Sequence, residues 1–175
     1  MSRADRRPFW RDPWWVASAL VVGVLLGLIA RFGADAGVTW DELLQFQYGE
    51  AVLAWFRSGF TDRRAINIET LSLYGGLFDG VTQWIVHRVP FGLFETRHVV
   101  TALVALLGVV GTGMIATRLG GTRAGFFGIV MLALTPAWIG HGLFNPKNVL
   151  FGAAAVFATY ASVRLAHWSV SDSVV

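Results

Sequence analysis

Four stretches of this chain run long enough and free enough of charge to cross a bilayer, and that fixes the class of fold before anything else is weighed. They cover about residues 14–32, 99–117, 124–140 and 149–167. The apolar interior of a membrane offers backbone N–H and C=O groups no water, so segments that enter it must satisfy themselves as helices. Composition agrees: 55% of the 175 residues are hydrophobic and 14% are charged, against about 25% charged in a typical soluble domain. So little charge cannot cover a water-facing surface, which argues against both disorder and a soluble enzyme core. The expectation is an all-α, polytopic integral membrane protein.

A fifth stretch, 71–89, is apolar on average but contains Asp79, Gln83, His87 and Arg88. Its period is helical and two-faced, with Tyr74, Leu77, Phe78, Val81, Trp84 and Ile85 on one side and Ser72, Gly76, Asp79, Gln83 and His87 on the other. That pattern suits a helix lying in the interface rather than crossing it. The choice sets the topology. With 71–89 on one side, the cytoplasm receives Arg3, Arg6, Arg7, Arg11, the tight turn 118–123 and Arg164, as the positive-inside bias favours. If 71–89 crosses, the turn RLGGTR faces outward. The arginine count favours the first arrangement, with a cytoplasmic N-terminus in the plasma or inner membrane and outside loops at about 33–95 and 141–148. A secretory signal peptide is the alternative for the first span, with Ala34, Asp35 and Ala36 as its cleavage site. The apolar core is longer than such signals use, and Trp14 and Trp15 sit where an interfacial aromatic belt belongs. Gly23 and Gly27 form a GxxxG pair that could be a helix-packing face.

Net charge is +3, and all but one of the 14 basic residues are arginine. They lie between apolar segments instead of clustering on a face with stacking aromatics, so nucleic-acid binding is excluded. Without cysteine there are no disulfides, thiolate metal sites or cysteine nucleophiles.

The first outside loop opens with Thr39-Trp40-Asp41-Glu42, followed by an amphipathic helix with Leu44, Tyr48, Val52 and Trp55 in one stripe. Thr39 and Glu42 fit a capping box, and acids in a first helical turn are favoured by the helix dipole. The same carboxylates also sit at the membrane surface, where lipid-linked chemistry occurs, and an acid there can take a proton from a hydroxyl. Two acids also make a weak oxygen-donor set for a divalent cation. In the second loop, Pro136 and Pro146 interrupt helices, and Asn145, Lys147 and Asn148 fall in a polar turn. Lys147 is either a snorkelling anchor or part of an anion site. Arg97 offers the same two readings, as a span anchor or a phosphate ligand. His87, His98 and His141 share no ligand spacing and read as interfacial residues.

Taken in order, these pieces resemble a known family. The acidic pair after the first span (Asp41, Glu42), YGGLF at 74–78, ETRH at 95–98, the turn RLGGTRAG and the loop FNPKN are similar to the N-terminal portion of GT-C type glycosyltransferases. The resemblance is to the phospholipid-carrier-dependent branch related to protein O-mannosyltransferases and the lipid A aminoarabinose transferase (glycosyltransferase family 39-like). It covers nearly the whole chain. It implies transfer of a sugar from a polyprenyl-phosphate carrier to an acceptor on the outer face, within the lipid bilayer. Carried over, Asp41 is the base that deprotonates the acceptor, and Glu42 positions it or binds metal. Lys147, Arg97 and Asn148 are substrate-binding, and Asp41 with Asn148 would hold a divalent metal cation. There are two departures. The family's second loop typically reads NPKD where this chain has Asn148, an amide that ligates metal without charge. Family members are also several times longer, so the expectation is a truncated form that could be inactive. The rival expectations are a non-enzymatic accessory or assembly module, in which the acidic pair is only a helix cap, and a transporter fragment. Transporters place ionisable residues inside their spans, and these spans have none near the midplane.

Overall fold

The computed structural model of the chain describes residues 11–172, and only the backbone at 69–70 and 167–172. Arg3, Arg6 and Arg7, which weigh in the topology count, lie outside the described residues. The fold is all-α, with six α-helices: α1 (Pro13–Phe32), α2 (Glu42–Arg57), α3 (Leu77–Val86), α4 (Leu93–Ala133), α5 (Pro136–Phe144) and α6 (Pro146–Asp172). Two short 3-10 turns, Arg64–Ile66 and Glu69–Leu73, join α2 to α3.

Among the described residues, three helices are long and apolar enough to cross a membrane: Pro13–Phe32, Leu93–Ala133 and Pro146–Ala166. The expected count was four, and the difference has a local cause. The stretches at 99–117 and 124–140 are joined through α4, whose backbone breaks at Gly121 with φ 79° and ψ −179°. Only glycine adopts that conformation readily. The chain turns back there, so that Gly113 packs on Ile129, and Gly125 on Thr117 and the Gly113 carbonyl. In one straight helix residues 113 and 129 would be about 24 Å apart. The returning limb, 122–133, is about 18 Å long at the helical rise, short of a bilayer core of about 30 Å. Pro136, at the first turn of α5, then divides it from the rest of the expected third span. Proline has no N–H for the preceding turn and starts a new helix instead.

The hairpin orders the bundle. α1 begins beside the reversal, with the Trp14 ring 5.5 Å from Phe126 and 5.9 Å from Phe127. Its far end meets the start of α4, where Gly33 approaches Val99. α6 packs along α4, with Val156 seated on Gly111. The beginnings of α2, α4 and α6 therefore gather at the end of the bundle opposite the reversal.

The segment 71–89 does not form a long helix. α3 has 10 residues, about 15 Å. It crosses α2 closely because glycines meet there. A Cβ on Gly49 would stand 2.9 Å from the Asp79 carbonyl oxygen, and one on Gly76 would stand 2.5 Å from Val52. Its two faces are sorted inside out relative to a water-soluble helix. Asp79, Thr82 and Gln83 are buried, while Leu77, Val81 and Trp84 are exposed. The α2 stripe behaves as its spacing predicts: Tyr48 and Val52 join Ala51, Ala65 and Leu71 in a small core, with Leu44 and Trp55 packed against it.

Candidate functional site

The start of α2 is held by its own acids. Thr39 donates its backbone N–H to Glu42 Oε2, which is the reaching-back half of a capping box. The other half is absent, since the helix begins at Glu42 with Asp41 as its N-cap and without a side-chain cap bond. The Thr39 hydroxyl faces both carboxylates, 3.2 Å from Asp41 Oδ1 and 3.0 Å from Glu42 Oε2. Gln45, one turn on, donates to Asp41 Oδ2 at 2.9 Å.

The two acids then divide. Glu42 is buried, and its Oε1 lies 2.5 Å from His98 Nε2 on α4, with the histidine side chain 1% exposed. Asp41 remains exposed. Beside this pair runs a second buried one: Arg97 Nη2 binds Asp79 Oδ1 at 2.6 Å, with the side chains 4% and 2% exposed. Adjacent residues of α4 thus reach two different helices, Arg97 to α3 and His98 to α2. A buried ion costs several kcal/mol unless paired, so these bonds fix the order in which the three helices pack.

The second loop arrives at the same place. Phe144, ending α5, stands edge-on to the His98 ring at 5.5 Å. Asn145 accepts the Asn148 N–H at 3.2 Å and so caps α6. Lys147 is half-buried, with Nζ 4.3 Å from the centre of the Tyr74 ring, and it experiences the charges of Asp79, Asp41 and Arg97. Tyr48 lies below, its hydroxyl pushed above its ordinary pKa by burial first and by the Asp79 charge second. Four predicted residues, Asp41, Glu42, Arg97 and Lys147, thereby meet at one end of the molecule. Asn148 is exposed at the rim, and its side chain makes no recorded bond to Asp41.

Five buried side-chain atoms on these helices make no hydrogen bond within the protein: Gln45 Oε1, Thr82 Oγ1, Gln83 Oε1, Arg97 Nη1 and His98 Nδ1. Such atoms are rare in native proteins, where buried polar groups find partners. Arg97 therefore has one guanidinium nitrogen committed to Asp79 and another uncommitted.

Asp79 and His98 are the residues sequence reasoning undervalued. Both were visible, Asp79 on the polar side of 71–89 and His98 in ETRH. Their partners lie 18 and 56 positions away, and no local pattern encodes that. A third cross-helix link, with Glu50 Oε1 2.6 Å from both Gln83 Nε2 and His87 Nε2, ties the middle of α2 to the C-terminal end of α3. His141 is exposed on α5, away from these pairs.

Among the described residues, no three His, Asp or Glu side chains converge as a metal-holding group. Glu42 has both oxygens engaged, Asp79 is paired with Arg97, and the Asp41 oxygens face Thr39 and Gln45. This donor set does not fit the proposed divalent cation, which requires several free oxygens at once. Compared with known protein families, curated proteins and solved structures, the chain matches none.

Proposed function

We propose that the chain is the membrane part of a carrier-lipid-dependent glycosyltransferase of the GT-C type, moving a sugar from a polyprenyl phosphate to an acceptor hydroxyl on the outer face. On this reading the chain crosses the membrane four times. The third crossing is the broken pair formed by 122–133 and α5, the N-terminus is cytoplasmic, and α2 and α3 lie at the outer interface. The observation that carries the proposal is the gathering of Asp41, Arg97 and Lys147, from three separate segments, at one end of the bundle, where Asp41 is exposed. An exposed acid at the same end of the bundle as a half-buried lysine suits chemistry at the boundary between lipid and water.

The reaction assigns each group a task. The acceptor oxygen attacks the anomeric carbon, the bond from that carbon to the carrier phosphate breaks, and its electron pair leaves with the phosphate. The transition state is oxocarbenium-like, and Asp41 takes the hydroxyl proton. Lys147 supplies positive charge to the departing phosphate, while Arg97, enclosed in its pair with Asp79, holds the helices that present it. Glu42 works through His98 to hold the first turn of α2, so it positions Asp41 and does not touch the reacting atoms. No step is routed through a metal.

A second reading, a non-enzymatic assembly module, draws support from one fact: both Glu42 and Asp79 are consumed in buried pairs that knit helices together. One experiment separates the two. The full chain in lipid nanodiscs is given a panel of radiolabelled polyprenyl-phosphate sugars, and release of the free carrier phosphate is followed with and without acceptor alcohols. The glycosyltransferase reading expects release that falls about 10²–10⁴-fold in Asp41→Asn, the usual contribution of a general base, with thermal stability unchanged. Absence of release across the panel supports the assembly module instead, and equal release by the variant refutes Asp41 as the base.

A further inference from the structure

Towards the end of the bundle away from the acidic pair, a cleft of about 510 Å³ lies between α1 and the helices α4 and α6. Ala19, Val22 and Gly23 of α1 form one wall, and Met114, Ile129 and Tyr160 the other. Two of the hydroxyls along the cleft are turned back on their own helices: Ser18 donates to the Trp14 carbonyl at 2.8 Å and Thr117 to the Gly113 carbonyl at 2.7 Å. The interior is therefore apolar in effect as well as in composition.

The mouth is basic. Arg118 lines it and is exposed, and among the described residues no carboxylate forms an ion pair with it. Arg123 lies at the same end, its guanidinium 5.5 Å over the Trp14 ring. The acid nearby, Asp12, accepts the Trp14 N–H at 2.9 Å, and hydrogen bonding, first toward Thr122 and then from the backbone, holds it below its ordinary pKa.

We propose that this cleft holds one acyl chain of an anionic phospholipid, whose phosphate pairs with Arg118. Its size argues for a chain over a protein helix. A helix 10–12 Å across fills about 420–610 Å³ per 5.4 Å turn, so the cleft would take a single turn, whereas its volume falls within the usual range for a small-molecule pocket. Charge argues for an anionic head group, because basic pockets between membrane helices recruit such lipids at roughly fivefold per arginine. The site is independent of the proposed transfer reaction, which lies at the opposite end.

The test uses the chain's lack of cysteine. A single Met114→Cys is labelled with bimane, and the protein is placed in nanodiscs containing equal mole fractions of phosphatidylglycerol and phosphatidylcholine, only one of the two brominated. Brominated phosphatidylglycerol should quench about fivefold more than brominated phosphatidylcholine. Arg118→Gln should equalise the two lipids without abolishing quenching, a signature that misfolding does not give. Gly23→Leu, at a position with nothing within 4 Å of an added Cβ, should fill the cleft and remove quenching by both. Three outcomes overturn the proposal. They are equal quenching by the two lipids in the parent protein, quenching by neither as when a second copy of the chain fills the cleft, and unchanged quenching in Gly23→Leu.

Discussion

Removing Arg97 while leaving Asp79 in place should be among the most damaging single changes available to this chain. The pair is 2.6 Å long with both side chains almost fully enclosed, so Arg97→Met strands a carboxylate where water does not reach. Breaking such a pair from one side costs about 3–5 kcal/mol. Lys147 already senses Asp79 and would offset part of this, which places the expectation near the lower figure. Asp79→Asn strands the guanidinium instead, and its cost should be similar. The double variant Asp79→Asn/Arg97→Met removes both charges and should recover much of the loss, because an enclosed ion pair is often close to neutral against an uncharged replacement. The assay is reversible unfolding in detergent followed by tryptophan fluorescence, with a full double-mutant cycle. For a chain of this size 1 kcal/mol is worth about 2–4 °C of Tm, so the single variants should lose roughly 6–12 °C. Coupling of about 2 kcal/mol or more is expected for residues in one network. Additive effects, or single-variant losses below about 1 kcal/mol as for an exposed pair, would refute the reasoning.

Three further outcomes follow from the same geometry. Gly121→Ala forces a side chain onto a glycine-only backbone and should cost about 1–3 kcal/mol, measured by the same unfolding assay, whereas Gly37→Ala, in open space, should change little. Tyr48 has a raised pKa in the fold, so stability should be flat below its unfolded value of 10.0 and fall as pH rises from there through the folded value. Phenolate absorbance tracks the titration, and Tyr48→Phe should remove that decline. Asp62 has its pKa lowered by hydrogen bonds from Arg64, first from the side chain and then from the backbone N–H. Its contribution is therefore present above its unfolded value and lost as pH falls through the folded one. An NMR titration of Asp62 should move back toward the ordinary carboxylate value in Arg64→Gln.

What the sequence made legible was whatever short-range chemistry encodes. Charge-free length identified the apolar stretches, though three and not four form helices long enough to span; the spacing of Tyr48 and Val52 identified the buried stripe of α2, and the two-faced pattern of 71–89 identified a helix apart from the long ones, of which only Leu77–Val86 is α-helical. Direction was harder. The polar face of α3 reads like a solvated face, yet Asp79, Thr82 and Gln83 are buried, with Arg97 on Asp79 and Gly49 of α2 against Asp79 and Gln83. The division of α4 was hidden as well, since Gly121 is one of 20 glycines and only its positive φ shows that the chain reverses at that point. Asp41 and Glu42 look equivalent as letters, but their roles separated only once His98, 56 residues away, was seen to claim Glu42.

The most direct test of the account is whether Asp41 and Lys147 share one side of the membrane with the reversal at Gly121 on the other. Single cysteines at Trp40, which is 98% exposed, at Leu119 beside the reversal and at Asn148 would be probed with an impermeant thiol reagent in intact cells. The account predicts labelling of positions 40 and 148 from outside and of 119 only after permeabilisation. Labelling of 40 and 148 from opposite sides would contradict it, because the two loops could not then form one site.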